Sequence, residues 1–139
     1  MTASNIKAII PCDLSTVWNT VTDAAQYPAW RSDVGKTEIR NGQQFIEYTK
    51  GGDATVFTVT VAEPYRRWEL DMENSRMKGH WIGIFASCEQ GTEIDFTEYV
   101  TAKKLFLKPF VKGYLKRQQA QFVSDLTQYV QSSRRLPIS

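Results

Sequence analysis

Val111-Lys112-Gly113-Tyr114-Leu115-Lys116-Arg117-Gln118-Gln119-Ala120-Gln121-Phe122-Val123-Ser124-Asp125-Leu126-Thr127-Gln128-Tyr129, near the end of a 139-residue chain, decides the fold. Val111, Leu115, Phe122, Leu126 and Tyr129 keep to one helical face, and the pattern runs from Pro109 to about Ser132, about six turns at the usual pitch. Pro109 suits the first turn, where its missing N–H would be unpaired anyway. A single long helix with one apolar face must lie against something, and the only other surface large enough is the concave side of a sheet.

The preceding sequence supplies that sheet. From Val34 to Ala102 six strand-sized runs are separated by turn residues: Asn41-Gly42, Lys50-Gly51-Gly52-Asp53, Glu63-Pro64, Asn74-Ser75 and Gln90-Gly91. Successive hairpins of this kind form an antiparallel meander. A seventh, β-prone run, Asn5 to Ile10, stands before it and is closed by Pro11. Between the two lies a helical stretch from Asp13 to about Arg31. Asp13 or Ser15 can cap its first helix, Leu14, Val17, Trp18 and Val21 form an apolar face, and Pro28 limits a second short turn.

The length fits one domain, residues 1–139, with no linker or repeat. No run approaches the roughly 20 apolar residues that span a bilayer, and no signal segment is readable, so a soluble, cytoplasmic protein is expected. Cys12 and Cys88 are too few and too far apart for a disulfide framework and read as buried thiols. The net charge of +2 hides an asymmetry: residues 103–139 carry +7 and residues 1–102 carry −5. Lys104, Lys108, Lys112 and Lys116 recur every four residues beside the apolar stripe, as a solvated face or as a peripheral contact for anionic membrane. Nucleic acid is not expected, because the basic residues are not interleaved with exposed-looking aromatics on the strands.

Cys12-Asp13-Leu14-Ser15-Thr16-Val17-Trp18, Tyr27-Pro28-Ala29-Trp30-Arg31-Ser32-Asp33-Val34 and Gly91-Thr92-Glu93-Ile94, in this element order, resemble the START-like or SRPBCC superfamily, in particular its polyketide cyclase/dehydrase and lipid-transport branch. The resemblance covers nearly the whole chain. It implies an α+β helix-grip fold: a curved seven-stranded antiparallel sheet wrapping a long C-terminal helix, with two short helices closing one end and a cavity between sheet and helix. These motifs specify the fold and leave the activity open, because such a scaffold hosts carriers, receptors and enzymes alike.

Met77-Gly79-Trp81-Gly83-Phe85 alternates bulky residues with glycine, which either leaves room on the inward face or relieves twist. On the last strand Ile94, Phe96, Glu98 and Val100 share a face, so the apolar set should carry Glu98 inward. A buried carboxylate needs a partner or a proton. Gln118 poses the same question on the helix, at the centre of a stripe of Val111, Tyr114, Leu115 and Phe122. Tyr48, Trp68, Trp81 and Tyr114 are candidate walls with polar handles. Trp30 and Arg31 are expected near the cavity mouth, where Arg31 meets an anionic head group or pairs with Asp33 or Glu98. The candidate ligand-binding set is therefore Glu98, Gln118, Tyr114, Trp81, Phe85, Phe96, Tyr48, Trp68, Trp30, Arg31 and Phe122.

His80, the sole histidine, has no second ligand at metal spacing, and neither a metal site nor another cofactor is readable. No phosphate loop or nucleophile elbow is present. The expected function is binding or transport of a hydrophobic small molecule or lipid-like metabolite in the sheet–helix cavity, by a monomer or homodimer. A cyclase/dehydrase-like enzyme using Glu98 or a tyrosine for acid–base chemistry is the alternative from another class. A third is a protein-interaction module whose core is filled by Trp81, Phe85 and Tyr114 meeting across the interior.

Overall fold

Seven strands make one antiparallel sheet in the order β1-β7-β6-β5-β4-β3-β2, with β1 (Thr2–Ile10), β2 (Lys36–Ile39), β3 (Gln44–Tyr48), β4 (Ala54–Glu63), β5 (Arg67–Glu73), β6 (Met77–Cys88) and β7 (Gly91–Ala102). The computed structural model describes residues 1–135, with side chains described as far as residue 132. Helices α1 (Leu14–Thr22) and α2 (Tyr27–Trp30), joined by a 3-10 turn (Ala24–Gln26), stand between β1 and β2, and a 3-10 segment (Leu105–Phe110) leads into α3 (Val111–Arg135). This is the seven-stranded helix-grip arrangement that the resemblance implies.

The meander is set by its turns. In the β2–β3 connection the Asn41 side chain accepts a 2.8 Å bond from the Gln43 N–H, and at β3–β4 the left-handed φ of 94° falls on Gly52. Gly91 opens β7 at φ 138°, where a Cβ would collide with the Ile10 carbonyl; only glycine lets this turn close on the end of β1. β1 pairs with β7 along its length, from Thr2 opposite Val100 to Ile10 opposite Thr92. A register shift between Val59 and Val61 bends β4.

Some boundaries differ from expectation. β1 begins three residues earlier than the β-prone run, because pairing with β7 recruits Thr2, Ala3 and Ser4. Pro28 stands in the first turn of α2, where its ring is compatible, instead of ending a helix. Pro109 lies inside the 3-10 segment, so α3 starts at Val111. Asp13 caps α1 by accepting from the Thr16 N–H at 3.1 Å, and bonds from the Ser15 and Thr16 hydroxyls hold its pKa down to about 2. Both cysteines are free; Cys12 is buried as expected, while Cys88 at the end of β6 is only half-buried.

Apolar burial falls into two clusters. The larger includes Ile10, Val17, Trp18, Val21, Phe85, Ile94, Phe96 and Leu126, and locks α1 and α3 onto the sheet. The smaller consists of Val100, Val111 and Leu115, with Met77 and Ala102 against it. The two sit on the same strand and the same helix, so something polar divides them.

Candidate functional site

The dividing belt is Glu98 on β7, between Phe96 of one cluster and Val100 of the other, together with Gln118 and Gln119 on α3, between Leu115 and Phe122. One half of the belt is satisfied internally. Ser4, paired opposite Glu98 in the sheet, donates its hydroxyl to Gln119 Oε1 at 2.7 Å, and Gln119 Nε2 donates back to the Ser4 carbonyl at 3.0 Å. The other half is not. Glu98 is only 9% exposed, and its carboxyl has no hydrogen-bond partner among the described residues. Burial pushes its pKa up to about 7, with Arg31 opposing the rise and Glu47 adding to it.

Arg31, at the end of α2, is buried between the Tyr27 and Phe122 rings, 4.9 and 5.0 Å from their centroids. Its guanidinium bonds Glu47 at 2.7 Å and Asp33 at 2.8 and 3.2 Å. Burial alone would lower the Arg31 pKa, but the two carboxylates outweigh it and leave the group firmly charged. Glu47 is pushed up by burial and drawn down by Arg31. Of the alternatives open for Arg31, the Asp33 pair forms, Glu47 joins it, and Glu98 is left out.

Three hollows follow this belt outwards. An inner one of about 80 Å³ is lined by Tyr27, Arg31, Trp68, Trp81, Phe96 and Phe122 among others. A second, also about 80 Å³, shares Glu47, Phe57, Met72, Glu98 and Gln118 with the first as a common wall. An outer one of about 290 Å³ adjoins the second at Thr49, Thr55, Asn74, Met77 and Tyr114, and is bounded by the 3-10 segment and the start of α3. Glu98 and Gln118 thus face both inner chambers, and Tyr114 stands between the second and the outer one.

A model of the family described as polyketide cyclase/dehydrase and lipid transport matches residues 1–131. The chain belongs to that family. Solved structures agree on the fold. A START superfamily protein from Mycobacterium smegmatis is 12% identical with a TM-score of 0.80, covering 94% of this chain and 97% of that one. Protein XoxI from Bacillus cereus is 10% identical with a TM-score of 0.81, covering 98% and 100%. DynU16, from the dynemicin biosynthetic locus, is 16% identical with a TM-score of 0.77, covering 94% of this chain but 48% of its own. No curated protein matches this chain. At these identities the likeness carries the START-like fold and no particular ligand.

On this family scaffold the candidate residues separate. Glu98, Gln118, Trp68, Trp81, Phe96, Phe122 and Arg31 line the inner chambers, and Tyr48 and Tyr114 line the second. Phe85 does not: it is sealed against Trp18 and Phe96, with ring centroids 5.0 and 5.6 Å away. Trp30 is also outside, stacked on Tyr129 at 5.9 Å on the far side of Phe122, because α2 turns its ring towards the C-terminal half of α3. The space over Gly83 is not open, since the Trp81 ring lies across it and a Cβ there would overlap the indole. Gln118 faces the chambers, and the centre of the buried stripe is Gln119 instead. Sequence reasoning missed Gln119 and Glu47, yet both carry a signal. Gln119 is four residues after Leu115 and three before Phe122, and Glu47 shares a strand face with Phe45.

The sheet's outer face holds a separate polar group. His80 bridges Asp71 at 2.6 Å and Glu69 at 2.7 Å; burial lowers its pKa, and the two carboxylates more than reverse this. Among the described residues no group of three or more His, Cys, Asp or Glu side chains could hold a metal. No described helix is long and apolar enough to cross a membrane.

Proposed function

We propose that this protein binds a small, largely apolar molecule bearing one hydrogen-bonding group, between sheet and helix, and carries or senses it without transforming it. The observation that supports this reading is Glu98: a buried carboxyl with no hydrogen-bond partner among the described residues, facing both inner chambers beside Gln118 and the Arg31–Glu47 pair, with Phe57, Trp68, Met72, Trp81, Phe96 and Phe122 as the apolar part of the wall. Ligand burial contributes about 25 cal/mol per Å² of apolar surface, and Glu98 with Gln118 fixes orientation. Each inner chamber is smaller than the roughly 300 Å³ usual for a small-molecule site. The ligand is therefore slender, or Gln118 and Tyr114 turn aside to join the chambers. The free thiols fit a reducing cytoplasm, and the basic end of the chain fits contact with an anionic membrane.

An acid–base enzyme draws on the same carboxyl, whose pKa of about 7 suits proton transfer. A filled-core interaction module is disfavoured by Tyr114, which is half turned to solvent and meets neither Trp81 nor Phe85.

The test is fluorescence titration with N-phenyl-1-naphthylamine, a neutral apolar dye with a single N–H donor. Wild type should bind it, Glu98→Gln should bind about tenfold more weakly through loss of a charged acceptor, and Gln118→Trp should abolish binding by filling the shared wall. Failure of wild type to bind, or binding indifferent to Gln118→Trp, contradicts the reading. A polyketide-like substrate turned over by wild type and about 100-fold more slowly by Glu98→Gln would favour the enzyme.

A further inference from the structure

The 3-10 segment Leu105–Phe110 exposes what a soluble surface normally hides. Leu105 is 87% exposed, Phe106 68% and Phe110 70%, three large apolar side chains within six residues. Cations surround them. From residue 103 to residue 124 the chain carries six Lys or Arg and no acid. Lys103 is engaged with Glu73 at 2.7 Å and Lys112 with the Ala3 carbonyl, while Lys104, Lys108 and Lys116 form no ion pair among the described residues. Of the nearby acids, Glu73 is taken up by Lys103, and Asp53, just before β4, lines the outer chamber.

We propose that this segment is an insertion hook for an anionic lipid bilayer, with Leu105, Phe106 and Phe110 entering the acyl boundary and Lys104 and Lys108 held at the headgroups. Lysine stems run along apolar surface while their ammonium groups stay in water, so the two residue types share one interface. Anionic lipid supplies the complementary charge that the segment lacks within itself. A second copy of this chain or another protein fits less well. Three side chains of at most about 250 Å² each fall short of the roughly 800 Å² per partner that stable protein interfaces bury.

The hook also has a position. Leu107 and Phe110 line the outer chamber beside Tyr114 and Met77, which border the second. Docking would set that chamber against the lipid, so that an apolar ligand could pass between them without crossing water. This last step rests on the cavity-binding reading; the docking itself does not.

The experiment is co-sedimentation of the full chain, without added ligand, with vesicles of phosphatidylcholine containing about one-third phosphatidylserine, and with phosphatidylcholine alone. Wild type should sediment with the anionic vesicles and about tenfold less with the neutral ones. Lys104→Ala/Lys108→Ala should weaken anionic binding about tenfold or more, and Phe106→Ser/Phe110→Ser, at sites exposed enough to leave the fold intact, should weaken it similarly. Phe106→Trp adds an exposed indole to four buried native tryptophans, and its emission should shift to the blue with anionic vesicles. No sedimentation, no blue shift, or binding indifferent to the phenylalanines overturns the proposal. So does a wild-type dimer that Phe106→Ser/Phe110→Ser makes monomeric, since the patch would then belong to a second copy. Dye binding in the inner chambers is read separately, so either reading can fail alone.

Discussion

Along β7 the inward residues Thr92, Ile94 and Phe96 are fully accounted for, while one step further Glu98 is not. Thr92 donates to the Cys12 carbonyl at 2.8 Å, and Ile94 and Phe96 pack under α1 and α3. Between Phe96 and Val100 the packing is interrupted: the core breaks into two clusters, and the inner hollows border the gap at Glu98. Gln119 and Glu98 make the same comparison in polar groups. Each is buried at the same level of the molecule, yet the amide is bonded to Ser4 and the carboxyl has no hydrogen-bond partner among the described residues. The sealed half is not free of such groups, since the buried Trp30 Nε1 has no hydrogen-bond partner among the described residues, but only the Glu98 carboxyl faces the chambers, where a ligand can reach it.

Substitutions in the two halves should therefore differ in sign as well as size. Leu126→Ala, in the sealed half, is expected to destabilise by about 2–5 kcal/mol through the cavity it leaves, measured by urea denaturation. A loss under about 1 kcal/mol would mean that this half is loosely packed too.

Glu98→Gln should act in the opposite direction. Its folded pKa of about 7 lies above the ordinary carboxyl value, so the folded state holds a proton that the unfolded chain has released. Stability should then fall as pH rises from about 4.5 through about 7, by about 3 kcal/mol, and the variant should lack that fall. At about pH 4 the two proteins should be nearly equal, and at about pH 8 the variant should be the more stable. Denaturation across pH would reveal it, and parallel profiles would remove the contrast.

Gln119→Ala should cost about 1–3 kcal/mol, because the Ser4 hydroxyl loses its acceptor in a buried place. Gln118→Ala, one residue away but turned to the chambers with no side-chain hydrogen bond among the described residues, should cost less, and thermal unfolding of the pair sharpens the comparison. On the outer face, His80→Gln should change stability by no more than about 1 kcal/mol, since that bridge is partly solvated. The raised His80 pKa places the contribution below about pH 6.5, fading as pH climbs through the folded value.

The architecture was legible because each of its signals is local: hairpin turns at Asn41-Gly42 and Gly51-Gly52, a cap at Asp13, and one apolar face on the terminal helix. Alternation along the last strand pointed Glu98 inward with Ile94 and Phe96, but the register that fixes this face is set by pairing with β1 and β6 and was not legible in the sequence. What remained hidden depends on angles between elements. Whether Arg31 meets Glu98 or Glu47 turns on how α2 leaves the sheet, and the glycines of β6 gave no notice that the Trp81 ring would fold back over Gly83. Trp30 was misplaced for the same reason, and the exposed Leu105 and Phe106 precede any helical stripe from which their surroundings could be inferred.

The central claim is that Glu98 is a buried, unanswered carboxyl in a ligand site. Carbon-13 NMR of its side-chain carboxyl, titrated across pH with and without N-phenyl-1-naphthylamine, tests that most directly. The account predicts a midpoint of about 7 in the free protein that moves when the dye occupies the chambers. A midpoint near the ordinary value of about 4.3, unmoved by the dye, would contradict it.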